Sequence, residues 1–211
     1  MGFVGATEER ARASYHVSQM TDSQAVLRSR TDKRHRLIDA ARQLFHEQGV
    51  ERTTLAEVAE SAGVPAGNVY YYFKTKDELI EAAIAEHAGE IHARLASLEV
   101  HGTPKARLKA FVRMLGDQAE ATARCGCPHG TLSSELDKRN DDLSRTCVDM
   151  LRPGVDWAER QFRALGRRDA RDLAFGLIAS YQGIALLTNA FREPALMTRE
   201  TERLDRWLDS L

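Results

Sequence analysis

The 211-residue chain is poor in three residue classes: it has three cysteines, five prolines and 7% aromatics. So few cysteines, and an odd number of them, exclude a disulfide scaffold and fit a reducing cytoplasm. Scarce proline, with many Ala, Leu, Arg and Glu, favours an all-α protein over a sandwich or barrel. An excess of positive charge is also missing: 30 basic side chains face 31 acidic ones, a net charge of −1. Any site for a polyanion must therefore be local. The first thirty residues hold no apolar run long enough for a secretory signal. Residues 173–191 carry no formal charge but include Ser180, Tyr181, Gln182, Thr188 and Asn189. That polar load suits a helix buried in a core or against another subunit better than a membrane span. There is no Gly-rich phosphate loop, nucleophile elbow or His-Glu-x-x-His pair, so the residues point neither to an enzyme nor to a bound cofactor.

The charge that is present is unevenly spread. Nine basic against six acidic side chains lie between residues 28 and 76, led by Arg28, Arg30, Lys33, Arg34 and Arg36. Residues 1–30 lack apolar periodicity and read as a flexible leader. After them, Leu37, Ile38, Ala41, Leu44 and Phe45 recur at helical spacing, and Gly49 ends that helix. Thr54-Leu55-Ala56-Glu57 forms a capping box opening a short helix that stops at Gly63. Pro65 suits the first turn of the next helix, whose missing N–H would be unpaired there anyway. Two short helices across a tight glycine turn make a helix-turn-helix. A second box, Thr75-Lys76-Asp77-Glu78, opens a long helix through Leu79, Ala83, Ile84 and Ile91, with Lys76 placed beside an N-terminus that attracts anions.

The second short helix carries Tyr70, Tyr71 and Tyr72 in succession. Neighbours on a helix differ by about 100° around its axis, so the three rings cannot share one buried face. Val69 and Phe73 suit the inward face, and Tyr70 suits packing on the first helix. Tyr71 and Tyr72 suit contact with DNA, because a phenol offers an apolar ring to a thymine methyl and a hydroxyl to a phosphate or base edge.

The run Thr53-Thr54-Leu55-x-x-Val58-Ala59-x-x-Ala62-Gly63-Val64-Pro65-x-Gly67-x-Val69-Tyr70-Tyr71-Tyr72-Phe73-x-x-Lys76-x-x-Leu79 resembles the DNA-binding domain of the tetracycline-repressor (TetR) family of transcriptional regulators. Pro65 stands where that family often has Ser, and Tyr72 where it often has His. The resemblance implies a three-helix DNA-binding domain over 31–78 and a helical ligand-binding and dimerisation domain over 79–211, about nine helices in all. It also implies a homodimer that binds a palindromic operator and is released by a small-molecule effector. Carried over by position, Thr53 and Thr54 would touch phosphate. Ala66, Asn68 and Tyr71 would lie nearest the bases, Tyr70, Tyr72 and Lys76 would mostly hold the DNA backbone, and Gly67 belongs to the same DNA-binding set.

Beyond the motif, helices are expected over 105–123, 132–138, 141–165, 168–191 and 199–208, with Pro153-Gly154 kinking or dividing the third of these. Gly176, Ala179, Ser180 and Gly183 form a stripe of small residues on one helix face, where a second helix can approach closely. With Leu204, Trp207 and Leu208 they are the expected dimer interface. Phe111, Leu115, Cys127, His129, Trp157 and Tyr181 are the candidate effector-pocket walls. Cys125, Cys127 and Cys147 leave an alternative open, in which the same DNA-binding domain answers to thiol oxidation or to a metal, although one residue between cysteines is short for structural zinc. No metal site is expected.

Overall fold

A computed structural model describes residues 31–139 and 142–211, and all side chains within them except those of Ser144 and Cys147. The expected leader therefore lies outside the described residues. Among those described there are helices and no strands. In order they are α1 (31–48), α2 (Leu55–Ser61), α3 (Ala66–Tyr72), α4 (Lys76–Ser97), α5 (Pro104–Gly116), α6 (Ala119–Cys125), α7 (Pro128–Asp137), α8 (Asp142–Ala164), α9 (Ala170–Phe191) and α10 (Pro194–Asp209).

Local chemistry accounts for the first part. Gly49 closes α1 at φ +88°, a backbone region that favours glycine. The capping box of α2 is complete: the Glu57 amide donates to Thr54 Oγ1 at 3.2 Å, and the Thr54 amide donates to the Glu57 carboxylate at 2.8 Å. A cap of this kind stabilises by about 1 kcal/mol. At the other end Gly63, at φ +61°, lets its own N–H reach the Glu60 carbonyl and the Val64 N–H reach that of Ala59. That double bond pattern ends α2 and drops Val64 into the core, which sets the angle at which α3 leaves. The second box is only half formed as expected. Thr75 accepts from the Glu78 amide, but the Glu78 carboxylate reaches one residue further back, to the Lys74 N–H at 2.7 Å.

Three expectations for the later helices change. The helix expected over 105–123 is two, α5 and α6, parted after Gly116, where α10 comes so close that a Cβ would meet Thr201 Oγ1 at 2.9 Å. Pro153 does not divide α8, which runs unbroken past it. α7 and α10 begin earlier than expected, each with a proline in its first turn, Pro128 and Pro194.

The apolar residues condense into two clusters. One gathers Leu37, Phe45, Val58, Val69, Phe73 and Ile80 from α1–α4 and adds Leu132, Leu136, Leu143 and Met150 from α7 and α8. The other joins α5, α9 and α10 to the ends of α4 and α8 around Leu108, Trp157, Phe162, Leu177 and Met197. The first core thus runs past residue 78: the head rests on α7 and α8 rather than hanging from a linker.

Candidate DNA-reading face and internal cavity

α3 shows what the motif places on its outer side. Val69 and Phe73 are buried, and Arg34 covers the Phe73 ring at 5.2 Å. Ala66, Gly67 and Asn68 face solvent, and Tyr70 and Tyr71 are each 56% exposed. Tyr70 thus departs from the expectation that it packs on α1; inward packing on α3 belongs to Val69. Tyr72 is half-buried and holds the Tyr71 ring edge-on at 5.1 Å, so one tyrosine props another outward. A Cβ at Gly67 would meet nothing within 4 Å, so its small size answers no demand inside the protomer.

The flanking residues divide. Thr54 is exposed, whereas Thr53 is 1% exposed and its hydroxyl donates to the Gly49 carbonyl at 2.8 Å. Thr53 therefore holds the α1–α2 turn and offers nothing outward, contrary to the contact expected of it. Lys76 is half-buried with Nζ 3.3 Å from the Glu51 carbonyl, so it braces the start of α4 against the same turn. Lys74, which sequence reasoning passed over, is exposed beside α3 with Nζ 2.8 Å from the Tyr70 carbonyl.

The cavity, of about 390 Å³, lies deeper, between α1, α4, α5, α7, α8 and α9. Phe111, Leu115, His129 and Tyr181 line it as expected. Trp157 does not: its indole is tilted on Phe111 at 5.4 Å and donates from Nε1 to Glu99 on the far side. Cys127 lies behind the wall, its thiol 3.6 Å from the Gln182 amide, and lines a separate cleft. Sequence reasoning missed the polar wall of Arg42, His46, His87, Glu90 and Arg94. His87 could have been found, since it continues the inward row Leu79–Ala83 of α4 as a polar residue at a core position.

That wall ties head to body. Arg42 on α1 pairs with Glu90 on α4 and lies 3.4 Å from His87 Nδ1. A guanidinium can only donate, so His87 accepts at Nδ1 and its proton sits on Nε2. His46 donates to the Gly126 carbonyl at 2.9 Å, and the Glu51 amide donates to Glu135 on α7 at 2.9 Å. Arg139 and Asp77 add an ion pair at 2.9 Å. Burial drives the His87 imidazole down to about 3, helped by His129 and Arg42; burial likewise takes His129 down to about 4. Both rings, stacked edge-on at 5.1 Å, are neutral at pH 7.

The dimer expectation needs correction. Leu204 and Leu208 are buried in their own protomer's core, and Trp207 is half-buried with its ring 6.1 Å from Phe162. They face inward because α10 packs on α5 and α9. The stripe on α9 does face out: Gly176, Ala179 and Gly183 are exposed and Ser180 is half-buried. Phe175, Leu187, Leu186 (68%) and Phe191 (70%) surround it, an apolar surface sequence reasoning did not name. By length and apolarity α9 could cross a membrane, yet its inner row from Ala174 to Thr188 packs within the bundle.

Of the cysteines, Cys125 is a half-buried free thiol and Cys127 a buried one; the side chain of Cys147 lies outside those described. No group of three or more His, Cys, Asp and Glu side chains among the described residues is arranged to hold a metal.

A helix-turn-helix with an exposed aromatic second helix, carried on an all-helical body, defines a DNA-binding transcriptional regulator. The family described as bacterial regulatory proteins, tetR family, matches residues 37–83. The HTH-type transcriptional regulator BetI of Burkholderia lata is 30% identical over 161 residues, 73% of this chain and 80% of BetI. LmrA of Bacillus subtilis, also an HTH-type transcriptional regulator, is 28% identical over 66% of this chain and 76% of its own. A TetR transcriptional regulator from Chloroflexus aurantiacus has the same fold at TM-score 0.76 and 23% identity, over 86% of this chain and 96% of that one. This chain belongs to the TetR family of transcriptional regulators.

Proposed function

We propose that the chain is a cytoplasmic repressor that binds a palindromic operator as a homodimer and lets go when a small molecule enters the cavity. The observation that carries this is the outward face of α3, where Asn68, Tyr70 and Tyr71 stand exposed on a helix anchored by buried Val69. In a dimer two such helices spaced by one DNA turn, about 34 Å, would enter successive major grooves. Asn68 and Tyr71 would read base edges. Thr54, Tyr70, Tyr72 and Lys76 would hold phosphates, Lys76 and Tyr72 from half-buried positions, and Ala66 and Gly67 would let the backbone approach closely.

The second copy would seat on the α9 stripe. Gly176, Ala179 and Gly183 allow close helix approach, and Phe175, Leu186, Leu187 and Phe191 supply the apolar area. The outer face of α10 is unsuited to the centre of that contact, since Arg199, Arg203 and Arg206 line it. Signal transfer would run through the shared wall: a molecule pressing on Arg42 and His46 bears on α1, and one pressing on His129 bears on α7, whose Glu135 holds the turn before α2. A difference of about 1–3 kcal/mol in ligand affinity between the two head positions is enough to lower operator affinity usefully.

Selection of duplexes from a random library with the purified protein tests the reading. An enriched inverted repeat with half-sites about one turn apart is the expected product. Enrichment of a single half-site, or of none, would contradict it.

A further inference from the structure

The two ends of the cavity differ in chemistry. Phe111, Leu115 and Ile178, which belong to the body cluster or pack on it, make one side apolar. At the other, Arg42 is only 15% exposed; its pairs with Glu90 and Asp39 leave the Nε hydrogen buried without an acceptor. Arg94, one turn after Glu90 on the same wall, makes no ion pair among the described residues. The carboxylates nearby do not redress this. Glu90 is engaged by Arg42, and Asp39 lies mostly in solvent, 3.5 Å from the same guanidinium. The unfilled hydrogen-bonding capacity inside the polar end is therefore the Arg42 Nε donor, and Arg94, exposed at the rim, adds a second positive charge beside it. His87 and His129, held neutral by burial, add polar ring atoms there without adding charge.

We infer that the cavity takes an amphipathic organic acid, its carboxylate seated against Arg42 and Arg94 and its apolar body lying along Phe111, Leu115 and Ile178. The inference rests on reading this cavity as the effector site and names the class of molecule that fills it. A carboxylate satisfies a guanidinium with charge-assisted hydrogen bonds that an alcohol matches only weakly and an ammonium cannot make. A volume of about 390 Å³ suits a medium-sized organic molecule. The acid also acts at a useful place. Arg42 belongs to α1 and Glu90 to α4, so a carboxylate that draws on Arg42 competes with Glu90 for the contact fixing head to body.

Calorimetric titration of the full chain with sodium decanoate, 1-decanol and decylammonium chloride, three probes sharing one tail, tests the class. Decanoate should bind about tenfold tighter than decanol, and decylammonium more weakly than either. Arg94→Gln, an exposed substitution, should remove that advantage while leaving decanol binding as it was. Ile178→Trp, checked for an unchanged helical spectrum, fills the cavity and should abolish binding of all three. Decanol or decylammonium matching decanoate, or Arg94→Gln without effect, overturns the acid class; if Ile178→Trp still removes binding, the cavity remains the ligand site. Decanoate binding that survives Ile178→Trp, or no binding by any probe, overturns both the class and the effector-site reading.

Discussion

Around α3, tyrosine and asparagine side chains turn away from the core to solvent; around the cavity, imidazoles and a guanidinium turn away from solvent to the interior. The first arrangement is made by neighbours in sequence. Thr54, Glu57, Gly63 and Val64 shape the turn within a dozen residues, and Tyr72 props Tyr71 from the next position. The second is made by residues far apart: Arg42 meets Glu90, and His46 meets the Gly126 carbonyl, only because α1 packs on α4 and on the α6–α7 turn. A reading surface for DNA can thus be built locally and kept nearly fixed. A cavity assembled from long-range contacts can differ from one regulator to another and still reach the same head.

The division can be broken most forcefully at the two cores. Phe73→Ala in the head cluster and Leu177→Ala in the body cluster should cost about 3–5 and 2–5 kcal/mol respectively. Native-state hydrogen exchange should show Phe73→Ala stripping protection from α1–α3 while α9 and α10 stay protected. Equal loss in both regions would show that head and body unfold as one unit. On the surface, Leu186→Arg places a charge on the apolar surround of the α9 stripe without touching a core. If the proposed dimer forms through this face, sedimentation velocity should find the variant dissociating at protein concentrations at least about tenfold higher than wild type, at an unchanged melting temperature. An unmoved association constant would locate the interface elsewhere.

A smaller effect lies in the buried imidazoles. His87 and His129 are neutral when folded, with values of about 3 and 4, and accept protons near their ordinary 6.5 when unfolded. The unfolded state therefore binds more protons than the folded one between about pH 4 and 6.5. The stability they lend is complete above pH 6.5 and is lost as the pH falls through that window, by up to about 1.4 kcal/mol per pH unit for each ring. Urea denaturation of wild type and His87→Gln across the window should show the variant losing less stability with acid. Parallel slopes would mean that His87 is solvated enough to titrate normally.

The same contrast explains what the sequence disclosed. The helix-turn-helix, its capping box and its glycine turn were legible because each is a pattern within a few residues. Helical geometry alone required an outward tyrosine but did not say which one: Tyr71 is exposed as expected, whereas Tyr70, expected to pack inward, is exposed and Tyr72 is half-buried. Thr53 misled, because a hydroxyl at a helix entrance caps outward or folds back to a carbonyl according to the turn before it, here the turn at Gly49. In the body, apolar periodicity located the helices but could not say which apolar face meets the protomer and which is left bare. Leu204 and Leu208 therefore looked like interface and are core, while Phe175, Leu186 and Phe191 passed unnoticed. The polar wall was hidden for the same reason: nothing local to Arg42 indicates that Glu90 lies opposite.

The claim that α3 reads DNA through its exposed tyrosine face is tested most directly by Tyr71→Ala on the selected duplex, titrated beside wild type by fluorescence anisotropy at fixed salt. Tyr71 stands 56% exposed, so the variant should keep the melting temperature and the oligomeric state of wild type. Losing a base-edge contact in each of two half-sites, at about 1–3 kcal/mol apiece, should weaken specific binding at least about 30-fold while leaving binding to random duplex nearly unchanged. Wild-type affinity for the selected duplex, in a folded and dimeric Tyr71→Ala protein, would contradict the account.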